Sequence, residues 1–183
     1  LPKESLAFIY SKAAGNPLYT LEYMRYLTRQ GFLWNDGKSW RWRKPNDDAM
    51  PVTVEVLIEQ HLARAKAEPL QQYVLETKAF FFFFTSKDLW SKVARVSEQE
   101  LQTTALNLSQ HGLFRERDFA HPLFREVAFK TLTIERKQHL ARRAINVLGS
   151  EPAQAALFVA AANLESEQAT ALLKRAANHS DGH

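Results

Sequence analysis

Hydrophobic and polar positions change period several times along the chain, and each change marks a predicted element. Between Val54 and Ala65, apolar residues fall at 54, 57, 58, 62 and 65, one face of an amphipathic helix. Between Ser97 and Leu132 the pattern is richer. Ser97 and Glu100 form a capping box, and Leu101, Ala105 and Leu108 then recur at i, i+4 and i+7, the spacing of a buried helix face. Gly112 stands where a helix C-cap needs positive φ. Leu113 to Phe119 reads as a short strand turning back on itself through the polar Arg115, Glu116, Arg117 and Asp118. His121-Pro122 then opens another helix, with proline at the first helical position, where its missing N–H leaves nothing unpaired. Helix, glycine stop, β-wing and new helix follow one another in the order of a winged helix.

The remaining segments read mostly as helices. Ser5 to Ala14 forms one that stops at Gly15-Asn16-Pro17, and Leu18 to Gln30 forms the next, with an apolar set of Leu18, Leu21, Met24 and Leu27, three tyrosines and a stop at Gly31. Phe32-Leu33-Trp34 and Trp40-Arg41-Trp42 flank Asn35-Asp36-Gly37-Lys38, the signature of an aromatic β-hairpin with an Asp-Gly turn. A polar connector runs from Lys44 to Pro51, and Pro69 opens a helix that enters the phenylalanine run Phe80 to Phe84. That run has neither helical nor strand period and reads as a buried crossing point between modules. Thr85 or Ser86 caps a short helix over Asp88 to Val96. Ile134 to Leu148 is a long helix with Arg136, Lys137, His139, Arg142 and Arg143 expected on its solvent side. Two alanine-rich helices, Ala153 to Leu164 and Ser166 to Ala177, suit tight antiparallel packing as at the start of an α-solenoid. One such pair needs stacked neighbours, which implies further sequence beyond His183. The expected fold is mainly α, in three parts: 1–50, 51–132 and 133–183.

Composition narrows the function classes. The 45% hydrophobic and 24% charged residues are ordinary for a globular protein, and the net charge of +4 comes from cations interspersed with acids rather than from a long basic stripe. Without cysteine there are no disulfides or thiolate metal sites, which fits a reducing cytoplasm. The phenylalanine run is too short to span a bilayer and lies mid-chain, so no membrane segment or signal peptide is expected. A start at Leu1 and an end at His183 suggest a cytoplasmic piece of a longer protein.

The six glycines nowhere form GxxxxGK[ST] or GxGxxG, so the chain carries no phosphate cradle of its own. Without that loop, the apolar run ahead of Asp88 reads as a decoy for a magnesium-binding strand. The six histidines are scattered, with no metal-ligand spacing, and no GxSxG elbow is present. No catalytic residue, metal or bound cofactor is therefore assigned to these residues. DNA binding is the obvious use of a winged helix, but Ser97 to His111, the helix that would enter the groove, holds Glu98 and Glu100 and no Lys or Arg. Phosphate contacts need cations, so this helix is poorly equipped for them.

The ordered segments GNPLYTLEYMRYLTRQGFL, WNDGKSWRW, MPVTVEVLIEQHLARA and LQTTALNLSQHGLFRERDFAHPLFREVAFKTLTIERKQHLARRA resemble one known family. They are similar to the region after the ATPase core in STAND proteins, the signal-transduction ATPases with numerous domains, and most to the LuxR-type and cyclase-associated regulators. The resemblance covers about residues 5 to 150, in order. It implies the end of a helical lid over 1–50, a winged-helix domain over 51–132 and the first helices of a TPR-like sensor over 133–183. By the same resemblance, Gly15, Asn16 and Pro17 face the adenine of ATP or ADP in the intact protein. His121 is expected to reach the β-phosphate of ADP and hold the closed state. Ala120 and Pro122 depart from the Met-His-Asp pattern of the related plant-resistance and apoptosome proteins, and Pro122 removes one interaction.

A side chain at a helix start lies where unpaired amides and the positive dipole end favour an anion, and Arg125 one turn along adds a cation. The bland alternative is that His121 only caps its helix and pins the wing, and that Gly15-Asn16-Pro17 is a plain turn. The expected function is coupling of the nucleotide state of a separate P-loop core to sensor or effector domains. The expected partners are that core, the C-terminal sensor and other proteins, with neither DNA nor membrane. Two readings compete with it: a winged-helix DNA-binding module, and a protein-interaction scaffold built on Trp34, Trp40 and Trp42.

Overall fold

The structure is a computed structural model of the chain and describes residues 1–46, 50, 51, 53–81 and 86–180. The expectations for Phe82 to Phe84, for Thr85 as a cap and for part of the 44–51 connector fall outside the described residues. Helix makes up 67% of the described residues, which settles a mainly α class. No helix among the described residues is long and apolar enough to cross a membrane. The chain divides into two compact units, Leu1–His61 and Leu62–His183.

In the first unit, α1 (Lys3–Ala13) packs against α2 (Pro17–Arg29). Between them Ala14 and Gly15 both take positive φ, at 48° and 77°, which reverses the chain in two residues. Asn16 then caps α2: its Oδ1 accepts from the amides of Leu18 at 3.0 Å and Tyr19 at 3.3 Å. Past Gly31, β1 (Leu33–Asn35) and β2 (Trp40–Trp42) form the antiparallel hairpin, with Leu33 opposite Trp42 and Asn35 opposite Trp40. Asp36 organises its turn, accepting from the amides of Lys38 at 2.9 Å and Ser39 at 2.8 Å and from Arg41 Nε at 2.5 Å. Ile9, Ala13, Tyr23, Tyr26, Leu27, Leu33, Met50 and Leu57 make the core, the last from α3 (Val54–Ala65).

The buried stripe of α2 differs from the aliphatic one expected. Glu22, Tyr23, Tyr26 and Leu27 are buried, whereas Leu21 is 51% exposed. Aromatic rings have more surface to remove from water than a leucine, and their positions set the rotation of the helix.

In the second unit, α4 (Pro69–Phe80) contacts α5 (Lys87–Ala94), α6 (Glu98–Gln110), α7 (Pro122–Lys130) and α8 (Ile134–Val147). Trp90 of α5 is its largest fully buried side chain, and the indole donates to the Val74 carbonyl at 3.2 Å. Ser86 caps α5 through the Leu89 amide at 3.1 Å. The capping box of α6 forms as expected, with Ser97 Oγ accepting from the Glu100 amide at 3.2 Å and Glu100 accepting from the Ser97 amide at 2.7 Å. The wing is β3 (Phe114–Arg115) paired antiparallel with β4 (Asp118–Phe119), its inner rings of Phe114 and Phe119 in edge contact at 4.9 Å.

The alanine-rich segment expected to be one helix is two, α9 (Pro152–Ala156) and α10 (Val159–Ala162). The break brings Phe158 against Phe80 at 5.9 Å and Phe81 at 5.5 Å, so aromatic packing outweighs local helix propensity there. Phe80 and Phe81 belong to the core cluster with Leu89, Val93, Leu132, Leu140 and Leu148. After Asn163, at φ 47°, α11 (Ser166–Ser180) packs against α9.

Candidate functional site

The residues singled out in the sequence sit in two places. Gly15, Asn16 and Pro17 form the exposed turn of the first unit, and the Asn16 side chain is engaged by the start of α2. His121 and Arg125 stand one turn apart on α7 in the second unit, His121 exposed and Arg125 half-buried.

His121 follows directly from the wing. The Ala120 amide donates to the Leu113 carbonyl at 2.8 Å, closing the hairpin onto the end of α6, and the next residue begins α7. With extended backbone at φ −151° and ψ 143°, His121 is the N-cap, and its Nδ1 accepts from the Leu123 amide at 3.1 Å. Accepting at Nδ1 fixes the neutral tautomer: the ring proton is on Nε2. The imidazole therefore caps its helix and also has an N–H donor on its far edge. The first amides of α7 are already engaged, Leu123 by His121 Nδ1 and Phe124 by the His121 carbonyl at 3.0 Å, so it is the Nε2–H, at the positive end of the helix, that could hold a phosphate oxygen.

The first turn of α6 carries Glu98 and Glu100 and its last turn no base, with Leu106 at 57% exposure the large apolar group on its outer face. Hydrogen bonds from Ser97 to Glu100, backbone first, hold that carboxyl below the usual range, so the helix start is anionic at neutral pH. Of the tryptophans expected to form an exposed cluster, Trp34 and Trp40 are 42% and 40% exposed. Trp42 instead is half-buried and packs on Phe8 at 5.3 Å.

Two polar clusters escaped the sequence reading. In the first unit the fully buried Glu22 accepts from Arg25 Nη1 at 2.5 Å and lies 3.1 Å from Nδ1 of the buried His61. Burial alone would raise the Glu22 carboxyl, yet His61 and then Arg25, by hydrogen bond and charge, together hold it below its ordinary value. The available signal was a carboxylate inside the stripe Tyr19, Glu22, Tyr23, Tyr26 and Leu27, on the apolar period of a helix.

In the second unit Arg136, expected on the solvent side of α8, turns inward. Its Nε donates to Glu76 at 2.6 Å, and its guanidinium lies 4.8 Å from the Tyr73 ring centre. Glu76 is buried and also accepts from Gln72 at 2.9 Å, which explains why a cation is drawn off the surface to meet it. Next to this pair Lys66 donates to Thr131 Oγ1 at 3.1 Å, and burial pushes its ammonium pKa down against the pull of Glu76. No group of three or more histidines and carboxylates among the described residues could hold a metal ion. No family model matches the chain, and no curated protein or solved structure matches it.

Proposed function

We propose that these residues form the regulatory arm of a nucleotide-switch ATPase of the STAND type, coupling the ATP or ADP state of a P-loop core to sensor and effector domains. The observation that carries the reading is His121: its Nδ1 is engaged in capping α7, which leaves Nε2–H as the donor of an exposed ring, one turn from Arg125 in the sequence of α7. In this reading Nε2–H binds the β-phosphate of ADP, and the exposed turn at Gly15, Asn16 and Pro17 covers the adenine. ADP bridged by both favours the closed form, and exchange for ATP releases it. The bridge biases the equilibrium only by the difference between its affinities for the two forms. The chain itself is not the enzyme, because the GxxxxGK[ST] loop and the magnesium-binding acid are not in it.

A photoactivatable azido-adenine nucleotide, cross-linked to the parent protein and mapped by peptide sequencing, tests the lid contact. Labelling should fall on the peptide carrying Gly15 to Tyr19. Label found elsewhere, with that peptide clean, would overturn the assignment of the turn. A protein-interaction role for Trp34 and Trp40 is supported by their exposure at the hairpin tip and is compatible with the switch.

A further inference from the structure

Along α8, Arg136, His139 and Arg143 recur at i, i+3 and i+7 and so form one ridge, about 10 Å long. α5 packs beside this helix, and its C-cap residue Arg95, exposed at φ 55°, lies at the same edge. Arg143 Nη2 donates to the Lys92 carbonyl at 3.1 Å, in the last turn of α5. Arg142, to one side of the ridge, donates to the carbonyls of Ala162 at 2.9 Å and Asn163 at 3.3 Å. Backbone carbonyls orient these guanidinium groups without neutralising them. Arg136 is the member held by a carboxylate, Glu76.

The charges repel one another. Burial lowers the pKa of His139, and Arg136, Arg143, Arg95 and Arg142 all add to the effect. Burial also lowers that of Arg143, with Arg95 and Arg136 again adding to it. A fold that gathers like charges in this way gives up stability that an anion laid along the ridge would restore. Tyr73, 43% exposed and against the Arg136 guanidinium, places an aromatic face at the ridge's end.

We propose that this ridge binds the phosphodiester backbone of a nucleic acid, with Arg95, Arg142 and Arg143 on phosphates and Tyr73 against a base or sugar. Guanidinium forks match phosphate oxygens two at a time, and an exposed aromatic ring beside them suits a base better than an acidic peptide. A lipid surface would require apolar side chains beside the cations. The exposed Ile134 instead lies on the opposite side of α8 from the ridge. The proposal uses neither α6 nor His121 and stands apart from the nucleotide switch.

The test is fluorescence anisotropy of the 183-residue chain with a short labelled oligonucleotide, single-stranded and duplex, across about 50–200 mM salt. Three phosphate contacts predict a slope of log affinity against log salt of about −2 to −3. Arg143→Gln and Arg95→Asn should each weaken binding about fivefold to tenfold at 0.1 M salt and reduce the slope by about 1. Asn tolerates the left-handed backbone at 95, and Lys174→Gln on α11 should change nothing. In the unsubstituted chain, NMR should show His139 titrating higher once oligonucleotide is bound. The proposal is overturned by an absence of binding at low salt, by binding that both arginine substitutions leave unchanged, or by equal affinity for polyglutamate or anionic vesicles.

Discussion

Replacing Glu22 by leucine removes a fully buried carboxylate that holds Arg25 and His61, and it takes its contact away from the His61 ring, 7% exposed. Breaking a buried pair from one side costs about 3–5 kcal/mol. His61→Leu should cost less, since Glu22 then still has Arg25. Arg25→Met should cost least, since its side chain is 33% exposed and water can replace part of what is lost. The double variant Glu22→Leu/His61→Leu removes both partners and fills the space with hydrocarbon. Its cost should therefore fall short of the sum of the two single changes by about 1–3 kcal/mol. Hydrogen exchange over α2 during a urea titration reads the first unit alone and gives all four values. Strict additivity, or a Glu22→Leu cost below about 1 kcal/mol, would refute the claim that the pair is a coupled buried interaction. The same pair makes a pH prediction. The Glu22 pKa lies below its ordinary value of 4.5, so its contribution is full above that pH and is lost as pH falls through the folded-state value.

Three further outcomes follow from local geometry. Ser97→Ala breaks the capping box of α6 and should cost about 1 kcal/mol in thermal unfolding, with Ser97→Asp restoring most of it. The Asp36 carboxyl, held down by Arg41 first and then by the amides of Ser39 and Lys38, should titrate at about 2 by NMR. The hairpin turn then keeps its order above the ordinary value of 3.8 and loses it as pH falls through about 2, and a titration near 4 would contradict the observed turn. Trp90→Ala should destabilise the second unit by about 3–5 kcal/mol, through the cavity and the lost bond to the Val74 carbonyl, measured by chemical unfolding.

What the sequence made legible was local. The capping box at Ser97, the Asp-Gly hairpin, the Gly15 and Gly112 stops and the His121-Pro122 helix start each rest on contacts within a few residues, and all of them form. What it hid was long-range. Glu22 meets His61 across 39 residues, and Arg136 meets Glu76 across 60, so no spacing rule could pair them. The inward turn of Arg136 follows from a buried carboxylate on another helix. The interruption between α9 and α10 follows from Phe158 reaching Phe80 and Phe81, where alanine-rich sequence alone favours an unbroken helix. Of the candidate site, the sequence could identify His121 as a helix start. It could not show that Nδ1 is engaged by the Leu123 amide, the fact that leaves Nε2–H as the donor of the ring.

That detail also separates the two roles open to His121. Asparagine caps a helix as well as histidine does, but it cannot extend an N–H from the position of Nε2. ADP retention by the parent protein, measured as nucleotide remaining after gel filtration, is the direct test for His121→Asn and His121→Ala. The nucleotide-switch account predicts that both variants lose ADP and gain basal activity, while only the alanine variant also loses about 1 kcal/mol of stability. Retained ADP in His121→Asn would contradict it and leave His121 as the cap of α7.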